Sequence, residues 1–144
     1  MEFEKVLVPV NGEDWDEQAL QLATSVTKEG KGKIYILYVI EVRRNLSLDA
    51  SVEHEAARSE EVLQRLEALA EDSHRIIQAE ILKARESGPA VVHEAVEREV
   101  DAIVMAAPYK RRYGSFHMGT TVPYILKNAP CPVLLLQAGS PNSS

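Results

Sequence analysis

The sequence predicts an α/β fold: a single doubly wound domain with a five-stranded parallel sheet and helices on both faces. Two observations support this prediction. First, five short apolar runs alternate along the chain with segments whose apolar residues recur at helical spacing. Second, four of these runs are almost continuously apolar, which is typical of parallel strands covered on both faces. Alternating strands and helices form βαβ units whose right-handed crossovers build one sheet.

The five predicted strands are not equivalent. In the third run, Gln78 and Glu80 interrupt the apolar residues, as is typical of a strand at one side of a sheet. We therefore place the third strand at an edge. In order, the runs are Lys5–Val10 (KVLVPV), Lys33–Ile40 (KIYILYVI), Arg75–Leu82 (RIIQAEIL), Asp101–Ala107 (DAIVMAA) and Pro132–Gln137 (PVLLLQ).

The first two helices are predicted from apolar stripes. The first stripe runs over residues 19–26, and we expect Gly30 and Gly32 to stop this helix. The second stripe lies within residues 51–73 and predicts the longest helix, with Ser51 as its N-cap.

The last two helices are predicted from their first residues. Pro89 lies near the first turn of the third helix, where its missing N–H group costs nothing. Thr120 or Thr121 is expected to cap the fourth helix. We expect one domain over residues 1–138 and a disordered tail over residues 139–144, because that tail is small, polar and rich in turn residues.

The overall composition limits the possible functions. The 144 residues match one compact domain, and the formal net charge of −6 gives no general attraction for nucleic acid or an anionic membrane. No apolar run approaches membrane-spanning length, so direct membrane insertion is not expected. The single cysteine, Cys131, cannot form an internal disulfide bond, and there is no signal-peptide pattern. We expect a cytoplasmic protein.

Catalytic and metal-binding patterns are not found in the sequence. The four histidines lack metal-site spacing, and no Ser/His/Asp order or nucleophile elbow is present. Cys131 lies just before a predicted buried strand, where a free cysteine behaves as a small apolar residue. We therefore predict neither a metal site nor catalytic residues, and no enzyme.

The loop after the first strand is one candidate ligand site, because ligands of open α/β sheets bind beyond the carboxyl ends of the strands where strand order reverses. Pro9 suits a tight turn, and Asn11 is placed to face a ligand. Asp14 and Asp16 are expected to cap the following helix and stabilise its dipole. Trp15 is expected to be a surface or interface anchor rather than a stacking platform.

The loop after the fourth strand is the second candidate. The sequence Gly119-Thr120-Thr121 opens the last helix, so unpaired N–H groups, the positive end of the helix dipole and two hydroxyl groups are available for a phosphate. Lys110, Arg111 and Arg112 add positive charge nearby. An ordinary N-cap beside a solvated basic loop explains the same residues, and the motif alone does not separate these alternatives.

Several segments resemble the universal stress protein family over residues 5–137, namely KVLVPVNG, LYVIE, GPAVVHEAVEREVDAIVMAA and especially MGTTVPYILKNAPCPVLLL. The resemblance implies a doubly wound sheet with strand order 3-2-1-4-5. It also implies a homodimer paired through the last strand. The apolar character of that strand agrees, because such an edge aggregates unless it is covered. The residues concerned are Val133, Leu134, Leu135 and Leu136.

Many members of that family bind ATP through a glycine motif, with an aspartate after the first strand. The motif positions fall at Ala106, Tyr109, Gly119 and Thr120, and the aspartate position falls at Asn11. The first two glycines are thus replaced, and Tyr109 cannot adopt a positive φ cheaply, so the phosphate turn should be reshaped. The three cations of the loop can compensate by pairing with phosphate oxygens.

The resemblance supports two functions. The first is a stress, signalling or regulatory module that binds ATP or another adenine nucleotide. The second is a regulatory or interaction domain without nucleotide, which acts on a transporter or another protein, because loops of this "APxxRR" kind are similar to those of stress-protein domains associated with permeases and antiporters. The site implied by the first function comprises Pro9, Asn11, Val39, Met105, Ala106, Tyr109, Lys110, Arg111, Arg112, Gly119, Thr120 and Thr121.

Overall fold

The computed structural model describes residues 2–47, 53–108, 111–112, 115–116 and 120–138. All five predicted strands are present within two residues of their expected ends, and a short two-stranded hairpin, β5 and β6, is additional. The predicted cap at Ser51 and the predicted tail lie outside the described residues. The elements are β1 Lys5–Val10, α1 Asp16–Val26, β2 Lys33–Glu41, α2 Glu53–Leu69, β3 Ile76–Ala84, α3 Ser87–Glu97, β4 Ala102–Pro108, β5 Arg111–Arg112, β6 Ser115–Phe116, α4 Thr121–Asn128 and β7 Val133–Ala138.

The five long strands form one parallel sheet in the order β3-β2-β1-β4-β7. Since β7 is the fifth strand of this sheet, the predicted order 3-2-1-4-5 is confirmed. The third strand lies at an edge, as Gln78 and Glu80 indicated. The chain moves outward from β1 through β2 to β3 and then crosses to β4 on the other side of β1, so strand order reverses between β1 and β4.

The helices cover both faces of the sheet because strand side chains alternate between the faces. Val6 and Val8 of β1 pack in the core with α1 and α2, whereas Leu7 between them packs in the core with α3 and α4. All three are almost fully buried. The near-continuous apolar runs in the sequence are therefore the consequence of two separate cores, one on each face.

Two helix boundaries differ from their predictions. Helix α1 ends at Val26, before either glycine, because Thr27 is extended and forms a parallel bridge with Phe3. Gly30 instead forms the turn that follows, with a φ of 84°. Thr120 precedes α4 as predicted, but no side-chain hydrogen bond caps that helix. The prediction of a hydroxyl cap is therefore wrong.

Candidate functional site

A cavity of about 390 Å³ lies at the carboxyl edge of the sheet, where strand order reverses. Its walls come from the ends of β1, β2 and β4, the beginnings of α1 and α2, and the first two turns of α3 and α4. This volume falls within the range of small-molecule sites. The lining residues are Pro9, Val10, Asn11, Trp15, Asp16, Leu37, Tyr38, Val39, Glu41, Glu55, Ser87, Val91, Met105, Ala106, Ala107, Pro108, Thr120, Thr121, Val122 and Ile125.

Every predicted site residue whose side chain the structure describes lines this cavity. Tyr109, Lys110 and Gly119 lie outside the described residues. Arg111 and Arg112 form the backbone of β5, which pairs with β6 in the hairpin that follows β4. The predicted residues that line the cavity are Pro9, Asn11, Val39, Met105, Ala106, Thr120 and Thr121.

The loop after β1 is organised by Asp16. Its carboxylate accepts hydrogen bonds from the backbone N–H groups of Gly12 (2.7 Å), Glu13 (3.1 Å) and Asn11 (3.3 Å). Gly12 has a φ of 85°, a conformation that favours glycine, and this turns the three N–H groups toward the carboxylate. The predicted capping role of Asp16 is therefore wrong, because this side chain binds the preceding loop rather than the N–H groups of its own helix.

Burial controls the ionisation of Asp16. The residue is 3% exposed, and this desolvation raises the pKa of its carboxyl group, while the three loop N–H groups and the positive charge of Arg65 act in the opposite direction. The hydrogen bond from the Asn11 N–H group holds the backbone of that residue, so Asp16 positions Asn11 at the cavity.

Glu41 and Ser87 are cavity residues that the sequence reasoning missed. The backbone N–H group of Ser87, at the first position of α3, donates to Oε2 of Glu41 at 3.2 Å. Glu41 thus places a negative charge at the positive end of the α3 dipole. Its position at the last residue of β2 was the available signal, because carboxyl ends of parallel strands line ligand sites.

The beginning of α4 has the opposite character. Its first turn contains no acidic residue, and no side chain caps it. Thr120 and Thr121 both line the cavity, so their hydroxyl groups accompany the unpaired backbone N–H groups of the helix. This end of the cavity is suited to an anion.

Trp15 lies beside the Asp16 loop. It is half-buried and lines the cavity, and its expected role as a surface or interface anchor stays a prediction. On the other side of the same loop, the Arg58 guanidinium donates to the Gly12 carbonyl oxygen and to the Tyr38 hydroxyl group, each at 3.4 Å. The loop is therefore fixed to both α1 and α2.

Within the described ranges, no group of three His, Cys, Asp or Glu side chains is placed to hold a metal ion. In the same ranges, no helix is both long enough and apolar enough to cross a membrane. Cys131 is partly buried against the core of α3 and α4. Burial, followed by the negative charge of Asp101, raises the pKa of its thiol group, which disfavours the nucleophilic thiolate.

Comparison with known proteins finds relatives in one family. A model of the universal stress protein family matches residues 2–137. Universal stress protein MJ0531 of Methanocaldococcus jannaschii is 28% identical over 141 residues, which cover 94% of this chain and 82% of the relative.

Two solved structures share the fold. The universal stress protein from Archaeoglobus fulgidus in complex with dAMP has a TM-score of 0.70 at 16% identity, covering 95% of this chain and 100% of that chain. A universal stress protein family protein from Arabidopsis thaliana with AMP bound has a TM-score of 0.68 at 18% identity, covering 97% and 95% of the two chains. With the family model matching nearly the whole sequence, this chain belongs to the universal stress protein family.

Proposed function

We propose that this protein is a regulatory module that binds an adenine nucleotide, ATP or a shorter one, in the cavity at the carboxyl edge of the sheet. The observation that carries this proposal is the convergence of a cavity with both apolar and polar walls and the uncapped beginning of α4 at the point where strand order reverses. The complexes of the Archaeoglobus and Arabidopsis relatives with dAMP and AMP support the adenine class.

The base is assigned to the end of the cavity formed by β1 and β2. Pro9 and Val39 supply apolar surface there, together with Met105 from β4. Asn11 adds an amide that both donates and accepts hydrogen bonds, so it can match the edge of an adenine ring. Compared with the aspartate of the family's ATP-binding motif, the neutral amide of Asn11 places one negative charge fewer near the nucleotide.

The phosphates are assigned to the beginning of α4. The donors are the backbone N–H groups of Thr121 and Val122, since Pro123 has none, and the hydroxyl groups of Thr120 and Thr121. The sequence places Gly119 directly before these threonines and a basic segment, Lys110 to Arg112, in the same connection. Pairing of these cations with phosphate oxygens remains a prediction, as does the assignment of Ala106 and Tyr109 to the phosphate turn.

Isothermal titration calorimetry with AMP and ATP tests the proposal. We expect saturable binding of at least one of them with one nucleotide per chain. Denaturation of the purified protein followed by mass spectrometry detects any nucleotide that copurifies. Absence of both binding heat and released nucleotide would contradict the proposal. The alternative function would then be favoured, namely a regulatory domain that binds no nucleotide and acts on a transporter or another protein.

The proposal concerns binding and not catalysis. We expect no turnover of ATP beyond the slow hydrolysis that any bound nucleotide undergoes, and a phosphate-release assay measures it. We further propose that two copies pair through the outer edge of β7 in the cytoplasm. Support for the pairing comes from Val133, Leu134, Leu135 and Leu136, which are only partly buried on an edge strand.

A further inference from the structure

Three groups of backbone N–H donors belong to elements that contribute residues to the cavity wall. One belongs to the loop after β1, and the others belong to the first turns of α3 and α4. Clusters of this kind bind anions, because their partial positive charges point at the same place. The cavity therefore has three positions at which a negatively charged group of a ligand could be held.

The loop position is filled by the protein itself. The Asp16 carboxylate accepts from the N–H groups of Gly12, Glu13 and Asn11, and it is nearly inaccessible to solvent. A ligand phosphate could displace it only by leaving a buried carboxylate without partners, which is strongly unfavourable.

The α3 position is also filled. Glu41 accepts from the N–H group of Ser87, and Glu55 from α2 adds a second carboxylate to the cavity wall. An anionic group of a ligand at this position would lose the helix donor to Glu41 and meet like charge. Of the three positions, only the one at α4 lacks a carboxylate among the described residues.

We propose that Glu41 is a specificity-determining residue that restricts the ligand to nucleotides whose negative charges all lie at the Thr120 and Thr121 end. This inference rests on the proposed function. Strands β2 and β4 are separated by β1, so their ends lie about 10 Å apart. Glu41 therefore faces the phosphate-free end of the ligand, where the base carries hydrogen-bond donors that a carboxylate accepts.

Three ligands separate charge from size. They are AMP, AMP with a succinate group on its 6-amino nitrogen, and AMP with a neutral butyl group on the same nitrogen. We expect the wild-type protein to bind AMP and the butyl derivative within a few-fold of each other, and the succinate derivative about tenfold more weakly because of like-charge repulsion. Calorimetry measures all three affinities.

Two variants assign the effect to Glu41. Glu41→Gln keeps an acceptor for the Ser87 N–H group and removes the charge. It should therefore reduce several-fold the ratio of the affinity for AMP to that for the succinate derivative, which is called the gap below. Glu86→Gln is the matched control, because Glu86 precedes α3 but pairs with Arg44 and is not part of the cavity lining. This control should leave the gap unchanged.

The outcomes separate the two proposals. Equal wild-type affinity for AMP and the succinate derivative would overturn the inference while the binding of AMP upholds the proposed function. Weak binding of the butyl derivative would assign the effect to size and also overturn the inference. A gap that Glu41→Gln leaves unchanged would exclude Glu41 as its cause. Failure of every ligand to bind would remove the proposed function and the inference together.

Discussion

Gly88 in the first turn of α3 lies directly against the side chain of Tyr124 in α4. A Cβ atom at Gly88 would lie 2.9 Å from Cδ1 and 3.0 Å from Cβ of Tyr124. The second distance matters more, because the Cβ atom is fixed to the backbone of α4 and cannot rotate away. The absence of a side chain at Gly88 therefore sets how closely these helices approach at the cavity.

This contact predicts that Gly88→Ala destabilises the protein. Helix propensity favours alanine by up to about 1 kcal/mol, whereas overpacking costs about 1–3 kcal/mol. We expect a net loss of about 1 kcal/mol in urea denaturation. In the Tyr124→Gly background, which also removes the Cβ atom of residue 124, the same substitution should be neutral or stabilising, and additive effects in this double-mutant cycle would contradict the steric explanation.

Trp15 provides a direct signal for ligand binding. It is the only tryptophan of the chain, and it lines the cavity beside the Asp16 loop. We expect AMP to change the intensity or wavelength of its fluorescence, with the same midpoint as the calorimetric titration. A Trp15→Phe variant should lose the signal and retain binding. Saturable binding of AMP without any spectral change would place the nucleotide away from Trp15.

The two threonines before and within α4 should contribute to phosphate binding. Thr120→Val and Thr121→Val each remove one hydroxyl donor at nearly constant volume, and a hydrogen bond to a charged group contributes about 1.5–3 kcal/mol. We therefore expect about a tenfold or greater loss of AMP affinity from at least one of them. Thr24→Val is the control, since its hydroxyl group donates within α1 to Leu20. Unchanged affinity in both variants would exclude the threonines from the site.

An ion pair joins Glu80 of the edge strand β3 to Arg98, which follows α3. This pair predicts that the stability of the protein depends on pH. Burial acts to raise the pKa of Glu80, but hydrogen bonds from Arg98 and Gln78 and the charge of Arg98 outweigh it, so the pKa is lowered from 4.5. A lowered carboxyl pKa stabilises the folded state above the unfolded value, and this stabilisation is lost as the pH falls through the folded pKa.

Glu80→Gln measures this contribution. The wild-type protein should be more stable than the variant at neutral pH, and the difference should shrink as the pH falls through and below 4.5. Because the Glu80 side chain is 40% exposed, we expect a difference below about 1 kcal/mol at neutral pH. Urea denaturation at a series of pH values provides the measurement. A difference that grows toward acidic pH would show that the pKa is raised instead.

Leu136 tests the proposed pairing through β7. Unlike Val133, Leu134 and Leu135, it belongs to neither core cluster formed by the described residues, so Leu136→Lys should break the dimer without unfolding the chain. Light scattering after size exclusion should show a change from two chains to one. The control is Leu69→Lys at the exposed end of α2, which should leave the mass unchanged. A Leu136→Lys protein with the wild-type dimer mass would exclude this edge as the interface.

The strands could be predicted because local composition determines them. The almost continuous apolar runs follow from burial on both faces, and the polar residues of β3 follow from its edge position. The family could also be recognised from the block that begins near Met118. The end of α1 could not be predicted, since it depends on a bridge between Thr27 and Phe3, which are distant in sequence.

The candidate site was predictable only in part. Asn11 and the two threonines were accessible to sequence reasoning because they follow strands or open a helix. The role of Glu41 was not, because its partner Ser87 is separated from it by 46 residues. Asp16 was misinterpreted for a different reason: an acidic residue at a helix start suggests capping, and only the turn at Gly12 brings the preceding N–H groups to its carboxylate.

The two edges of the sheet differ in a way that limits assembly. One edge is the apolar β7, and the other is β3, which carries Gln78, Glu80 and Lys83. A dimer joined through β7 about a two-fold axis uses the apolar edge of both chains and leaves only the polar edges outward. Since charged edge strands resist further pairing, such a sheet is closed to growth: β7 is used up in the pairing, and the polar β3 edges that remain prevent a fibre.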